Sequence, residues 1–158
     1  MIKIVKNNLG DSRTADRVPT ITEFNKANSA HTNDVQNLMR HVSERVMQRA
    51  YSHDYTKIQE PDRSMFYRDL CNTIEGNMNF KDGEWCKIHY SMERHHLNEV
   101  CPDDVDFLDV IEMVCDCICA GMARSGEVRP VEISSEILQK ALANTTKKLS
   151  GMIELVGE

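Results

Sequence analysis

The residues of this chain best equipped for chemistry are histidines and aspartates, and they recur in a fixed order: His31, His53-Asp54, His89, His95-His96 and Asp116. Imidazole and carboxylate are the donors that suit Mn, Fe, Co, Ni and Zn. One or two such ions can activate a water for attack on phosphorus. The pair His53-Asp54 opens the string His53-Asp54-Tyr55-Thr56-Lys57, which sets an ammonium close to two metal donors. A lone His-Asp dipeptide is more often a surface turn. The ordered set, spread over several helices, is easier to explain by one shared site.

The elements that must position these residues read as helices. Val35, Leu38, Val42, Val46 and Ala50 recur at helical spacing and predict a first helix from Thr22 or Ser29 to Tyr51. His31 precedes Val35 by one turn and joins that stripe. His53-Asp54 falls on the turn that follows. Pro61 starts a second helix with Asp62 in its first turn and Phe66, Leu70 and Ile74 on its apolar face. After a loop from Gly76 to Gly83, a third helix begins near Asp82 to Glu84 and puts Trp85, Ile88, Met92 and His96 on one face. His89 and His96 are two turns apart and point the same way; on a helix one of the adjacent pair His95 and His96 points away from the other, and one or both of them reach the site.

Pro102 and Asp103-Asp104 signal the next helix. Its core stripe reads Leu108, Ile111, Cys115, Ile118 and Met122, with Asp109, Glu112 and Asp116 alongside. A last helix covers about Ser134 to Val156. Strand signals are nearly absent. The expectation is an irregular segment over 1–20 and one all-α domain over 21–158, a single-domain bundle of five to seven helices. Such a bundle gathers inward-facing side chains into a site. Burying histidine and aspartate is costly unless a metal or hydrogen bonds satisfy them.

A chain of 158 residues is the size of one ordinary domain, and 41% hydrophobic with 28% charged residues suits a globule. A formal net charge of -6 and a pI near 5.5 argue against general nucleic-acid binding. A small phosphorylated substrate is compatible with that charge, since a bound cation supplies the local positive field. No apolar run approaches the roughly 18 residues of a membrane span, and Met1 to Lys6 is too short for a signal-peptide core. The expected location is the cytoplasm. Cys115, Cys117 and Cys119 alternate without a Cys-x-x-Cys spacing, so the six cysteines read as reduced, packing thiols. Acidic helical domains of this kind often pair, so a homodimer is a further expectation.

The order His31…His53-Asp54…Asp116 resembles the ligand order of the HD-domain superfamily of metal-dependent phosphohydrolases, over roughly residues 30–124. That resemblance implies a bundle of the HD-domain type in which His31, His53, Asp54 and Asp116 hold one metal. His89, His95 and His96 extend it toward the binuclear branches, such as the HD-GYP phosphodiesterases, with Asp54 bridging to a second ion. The later Gly-Tyr-Pro signature is missing, so cyclic-di-GMP cleavage does not carry over. Two strings, His89-Tyr90-Ser91-Met92-Glu93-Arg94-His95-His96 and Leu108 to Asp116, look like an uncharacterised HD-like family common in bacteria and their phages. That family continues its His-His with Pro-Glu, where this chain has Leu97-Asn98.

The implied activity is hydrolysis of a nucleotide or related small phosphoester, with Asp54 and Lys57 catalytic. In the mechanism so implied, Lys57 meets a phosphate oxygen and stabilises transition-state charge, and Arg94 is a second phosphate-binding candidate whose planar fork suits bidentate contact. Glu112 orients a ligand imidazole as an outer acceptor, and Asp109 supports or replaces Asp116. It would run in the host cytoplasm if the chain is phage-encoded. Two other functions fit the same residues: an HD-fold di-iron oxygenase, and a non-catalytic helical protein whose metal is structural.

Overall fold

In the computed structural model, which describes residues 1–128 and 130–157, the chain is mostly helical. The elements are strand β1 (Ile2–Val5), helices α1 (Ile21–Ser52), α2 (Asp62–Ile74), α3 (Glu84–Met92), α4 (Phe107–Ser125) and α5 (Ser135–Ser150), and strand β2 (Ile153–Val156). Single 3-10 turns at Tyr55–Lys57 and Phe80–Asp82 precede α2 and α3 respectively. The chain forms two compact units: Met1–Val46 with the segment from Thr146 onward, and Met47–Thr145.

In the first unit β1 and β2 pair in parallel, Ile2 opposite Ile153 and Val5 opposite Val156. The expected last helix through Val156 therefore ends early. Its regular turns stop at Ser150, and the apolar run Ile153-Glu154-Leu155-Val156 serves as a strand. Helix α1 starts at Ile21 because Thr20 and Glu23 form a reciprocal cap: Thr20 N donates to Glu23 Oε2 at 2.9 Å and Glu23 N donates to Thr20 Oγ1 at 3.3 Å. Ala27 is the buried residue of α1, tight against Gly10, where an added Cβ would stand 3.1 Å from the Ala27 Cβ. The apolar stripe of α1 is only partly covered: Leu38, Val42 and Val46 are half-buried, whereas Val35 is 42% exposed and His31 and Ala50 are exposed.

The second unit is built around Leu97, Val105, Met113 and Ala141, with Phe107, Val110 and Cys117 against them. An aromatic cluster lies beside α2 and α3, Phe66 stacked on Trp85 at 4.1 Å and Phe80 at 5.8 Å from Trp85. Helix α3 is pinned by Asp69 of α2, whose Oδ2 accepts from Trp85 N at 2.9 Å. Gly83 is needed at that junction, since a Cβ there would stand 2.7 Å from the same oxygen.

Helix α4 begins later than Pro102 and Asp103-Asp104 suggest, at a capping box between Asp106 and Asp109. Its inner face is also rotated from the expected stripe. Met113 is buried with Val110 and Cys117 partly buried, while Ile111, Ile118 and Met122 are 43%, 39% and 52% exposed. All six cysteines are free, and no helix among the described residues is long and apolar enough to cross a membrane.

Candidate metal centre

The second unit draws His53, Asp54, His89, His95, His96 and Asp116 together. Asp54 follows directly on the end of α1's turn and sits at φ 55°, ψ 31°, a left-handed conformation that aspartate tolerates better than most residues. It caps the Tyr55–Lys57 turn, and its carboxylate forms an ion pair with Lys57.

Helix α3 presents His89 and then stops at Met92. Glu93 is extended at φ -90°, ψ 107°, so His95 and His96 lie on a turn and not on a helix. The helix geometry that would turn one of the adjacent pair away from the other does not apply for that reason. Their rings lie 4.3 Å apart and both join the cluster.

Glu112 of α4 underlies two of the imidazoles. Its Oε1 accepts from His53 Nδ1 at 3.0 Å and lies 3.3 Å from His95 Nδ1. Both Nε2 atoms are thereby turned to the aspartates. His53 Nε2 is 3.3 Å from Asp54 Oδ2 and 3.6 Å from Asp116 Oδ1. His95 Nε2 is 3.6 Å from Asp54 Oδ1 and 3.9 Å from Asp116 Oδ2.

His89 is oriented from behind by different groups. Thr56 Oγ1 donates to buried Glu93 at 3.0 Å and accepts from His89 Nδ1 at 2.7 Å, which leaves the His89 Nε2 lone pair facing inward. That nitrogen lies 3.5 Å from Asp54 Oδ1 and 2.7 Å from His96 Nε2. Trp85 stacks on its ring at 4.4 Å.

The cations of this unit are largely matched to carboxylates. Arg49 pairs with Asp109 and, at 3.3 Å, with Glu112. Arg94 pairs with Asp109 and Asp104, each at 2.8 Å. Arg94, expected to contact phosphate, is thus held by two aspartates. Asp109 is fully buried between the two arginines while it caps α4. It props up the helix that carries Asp116 and does not stand in for Asp116. His31 belongs to the first unit, exposed on α1, and joins none of the ligand groupings.

Electrostatics favour neutral imidazoles at two positions. Burial, reinforced by the neighbouring His96, pushes His89 down to about 3, and burial together with His95 pushes His96 down to about 4. Burial opposes charge on His95 as well, but Glu112, Asp54 and Asp116 outweigh it and raise that imidazole. Burial likewise favours the neutral acids at Asp54 and Glu112. Lys57 overrides it at the first, His95 and His53 at the second, and both carboxyls fall below their ordinary range.

The donor set suits a divalent cation. Asp54, His89, His95 and His96 form one group of ligand atoms within 4.8 Å of one another, and His53, Asp54 and Asp116 form another. Two ligand atoms about 2.1 Å from one ion at a tetrahedral angle lie about 3.4 Å apart, close to the 3.3–3.6 Å separations between these imidazoles and Asp54. Asp54 Oδ1 and His95 Nε2 are also buried with no hydrogen-bond partner. Such orphaned polar atoms are costly unless something meets them.

Thr56, Glu93 and Arg49 are absent from the sequence reading of the site. Thr56 and Glu93 do lie inside the two strings that drew attention, His53 to Lys57 and His89 to His96. No curated protein and no solved structure matches the chain. A family model does, over residues 20–154, and the chain belongs to that family, DUF5662, a family of unknown function.

Proposed function

We propose that this protein is a metal-dependent phosphohydrolase of HD type that acts on a nucleotide or a related small phosphoester. The observation that carries the reading is the sharing of Asp54 by two groups of ligand atoms, one richer in histidine, the other completed by His53 and Asp116. Divalent ions bound there would lower the pKa of a coordinated water toward neutrality and polarise a phosphoryl oxygen. Asp54 offers one oxygen to each group, Oδ2 toward His53 and Oδ1 toward His89 and His95. Glu112 and Thr56 fix the histidine rings, so that the inward nitrogens are presented without reorganisation. Lys57, already beside Asp54, is the cation placed to meet a phosphate oxygen.

Elemental analysis of protein purified without chelator tests this reading, with His53→Ala and Asp54→Ala alongside. One to two equivalents of a transition metal are expected, lost in both variants. Metal-dependent release of phosphate or of an alcohol from phosphoesters should fall by about a hundred-fold or more with the metal. Two equivalents of iron with turnover that requires oxygen would replace the hydrolase by an oxygenase. Metal retention without any turnover would leave a structural centre in a binding protein.

A further inference from the structure

Two clefts open beside Asp116. The larger, about 520 Å³, is walled by Phe66, Leu70, Phe80, Trp85 and Tyr90 and reaches His89, His96 and Lys57. The other, about 400 Å³, is lined by small and aliphatic residues, among them Met113, Ala120, Gly121 and Val131, and by the polar Asn98, Ser125 and Glu132. Asp116 and Arg124 line both. With Ala120 they occupy positions i, i+4 and i+8 of α4 and so form one ridge along the helix. That ridge divides an aromatic cleft from an aliphatic one, and carries a candidate ligand carboxylate and a guanidinium.

A phosphorus atom bound at Asp116 thus has room for a substituent on each side. A monoester has one substituent and would leave one cleft to water. We infer that the substrate is an open-chain, unsymmetrical phosphodiester, with a planar aromatic arm in the larger cleft and a compact aliphatic arm against Ala120 and Gly121. The inference rests on the hydrolase reading for its reaction, but not for its binding geometry. Arg124, on the ridge, is the cation for a non-bridging oxygen of the diester. In the reaction, the oxygen of water bonds to phosphorus, and the ester bond to one arm breaks. The leaving oxygen takes a proton from that water, giving a monoester and an alcohol.

The test compares two diesters of equal charge, methyl phenyl phosphate and isobutyl phenyl phosphate, on the full chain loaded with Mn(II). Binding is read from the emission of Trp85, the chain's one tryptophan and part of the larger cleft's wall. The isobutyl ester is expected to bind about ten-fold tighter, because its extra methylene and methyl groups are buried in the second cleft. Ala120→Leu fills that cleft and should shrink the advantage to about two-fold or less. Equal affinities in the wild type overturn the inference, whether or not A120L folds. So does an advantage that persists in folded A120L. Release of either alcohol, phenol or the aliphatic one, is followed in the same samples. The affinity pattern without release sinks the hydrolase reading alone, while release without the pattern sinks this inference alone.

Discussion

One carboxylate oxygen of Glu112 hydrogen-bonds His53 and lies 3.3 Å from His95, and such outer acceptors typically account for ten- to a hundred-fold in metal affinity. Glu112→Ala is therefore expected to weaken metal binding by about ten- to a hundred-fold, as read by competition with a chromophoric chelator. Unchanged affinity would show that the rings are held by packing alone. Thr56→Val removes the hydroxyl that accepts the His89 Nδ1 proton and donates to Glu93. The expected loss is about ten-fold, with Thr56→Ser close to wild type.

At this scale the sequence was partly legible. His53, Asp54, His89 and Asp116 stand out because few other roles explain so many donors in order. Thr56 and Glu93 do not, because both are common types. Their part depends on contact between residues that lie on different elements, the turn after α1 and the end of α3.

Elements set where those residues point. Asp69 is 2% exposed and caps α3 through Trp85 N, with Gly83 packed against its carboxylate. Gly83→Ala must push that carboxylate away or shift the start of α3. An expected cost of about 1–3 kcal/mol follows from overpacking, read as a fall in the urea midpoint. Metal affinity should fall with it, since His89 rides on α3. A midpoint equal to wild type would mean the junction gives way freely.

The existence of α2, α3 and α4 was legible from periodicity and caps. The end of α3 was not, because Ser91-Met92-Glu93-Arg94 is compatible with continued helix; only the contacts of Glu93 with Thr56 draw the chain out of it. The rotation of α4 was hidden for another reason. Apolar residues surround most of that helix, and turning Glu112 and Asp116 to the site carries Met113 inward with them.

For the molecule as a whole, the depressed imidazoles translate into acid sensitivity. Unfolded, His89 and His96 have the ordinary value of 6.5; folded, they fall to about 3 and about 4. As pH drops below 6.5, the unfolded chain takes up protons that the folded one refuses, so stability is lost on acidification. Asp54 and Glu112, both lowered, add to the loss once pH falls below their ordinary values of 3.8 and 4.5. His95, raised, works the other way: its contribution is complete below 6.5 and disappears as pH rises through its elevated value. Below 6.5 that contribution no longer changes, so the two lowered histidines set the trend there. Chelator-treated protein should lose on the order of 2 kcal/mol between pH 7 and pH 4.5 by urea titration. A flat or rising midpoint would contradict this account of the histidines.

At the scale of the whole chain, the pairing of β1 with β2 escaped the sequence reading because it joins the two ends of the chain. The ion pair of Lys57 with Asp54 has a consequence in the language of linkage. Oδ2 of Asp54 serves the ammonium and also lies nearest to His53 Nε2, so a cation entering beside His53 competes with Lys57 for one oxygen. A metal cation that displaces Lys57 would free its ammonium for an anion such as the proposed phosphoester, and the two equilibria become reciprocal. Lys57→Met should then bind metal more tightly than wild type and phosphate more weakly. In the wild type each ligand should strengthen the other, by a factor that does not depend on the order of their addition.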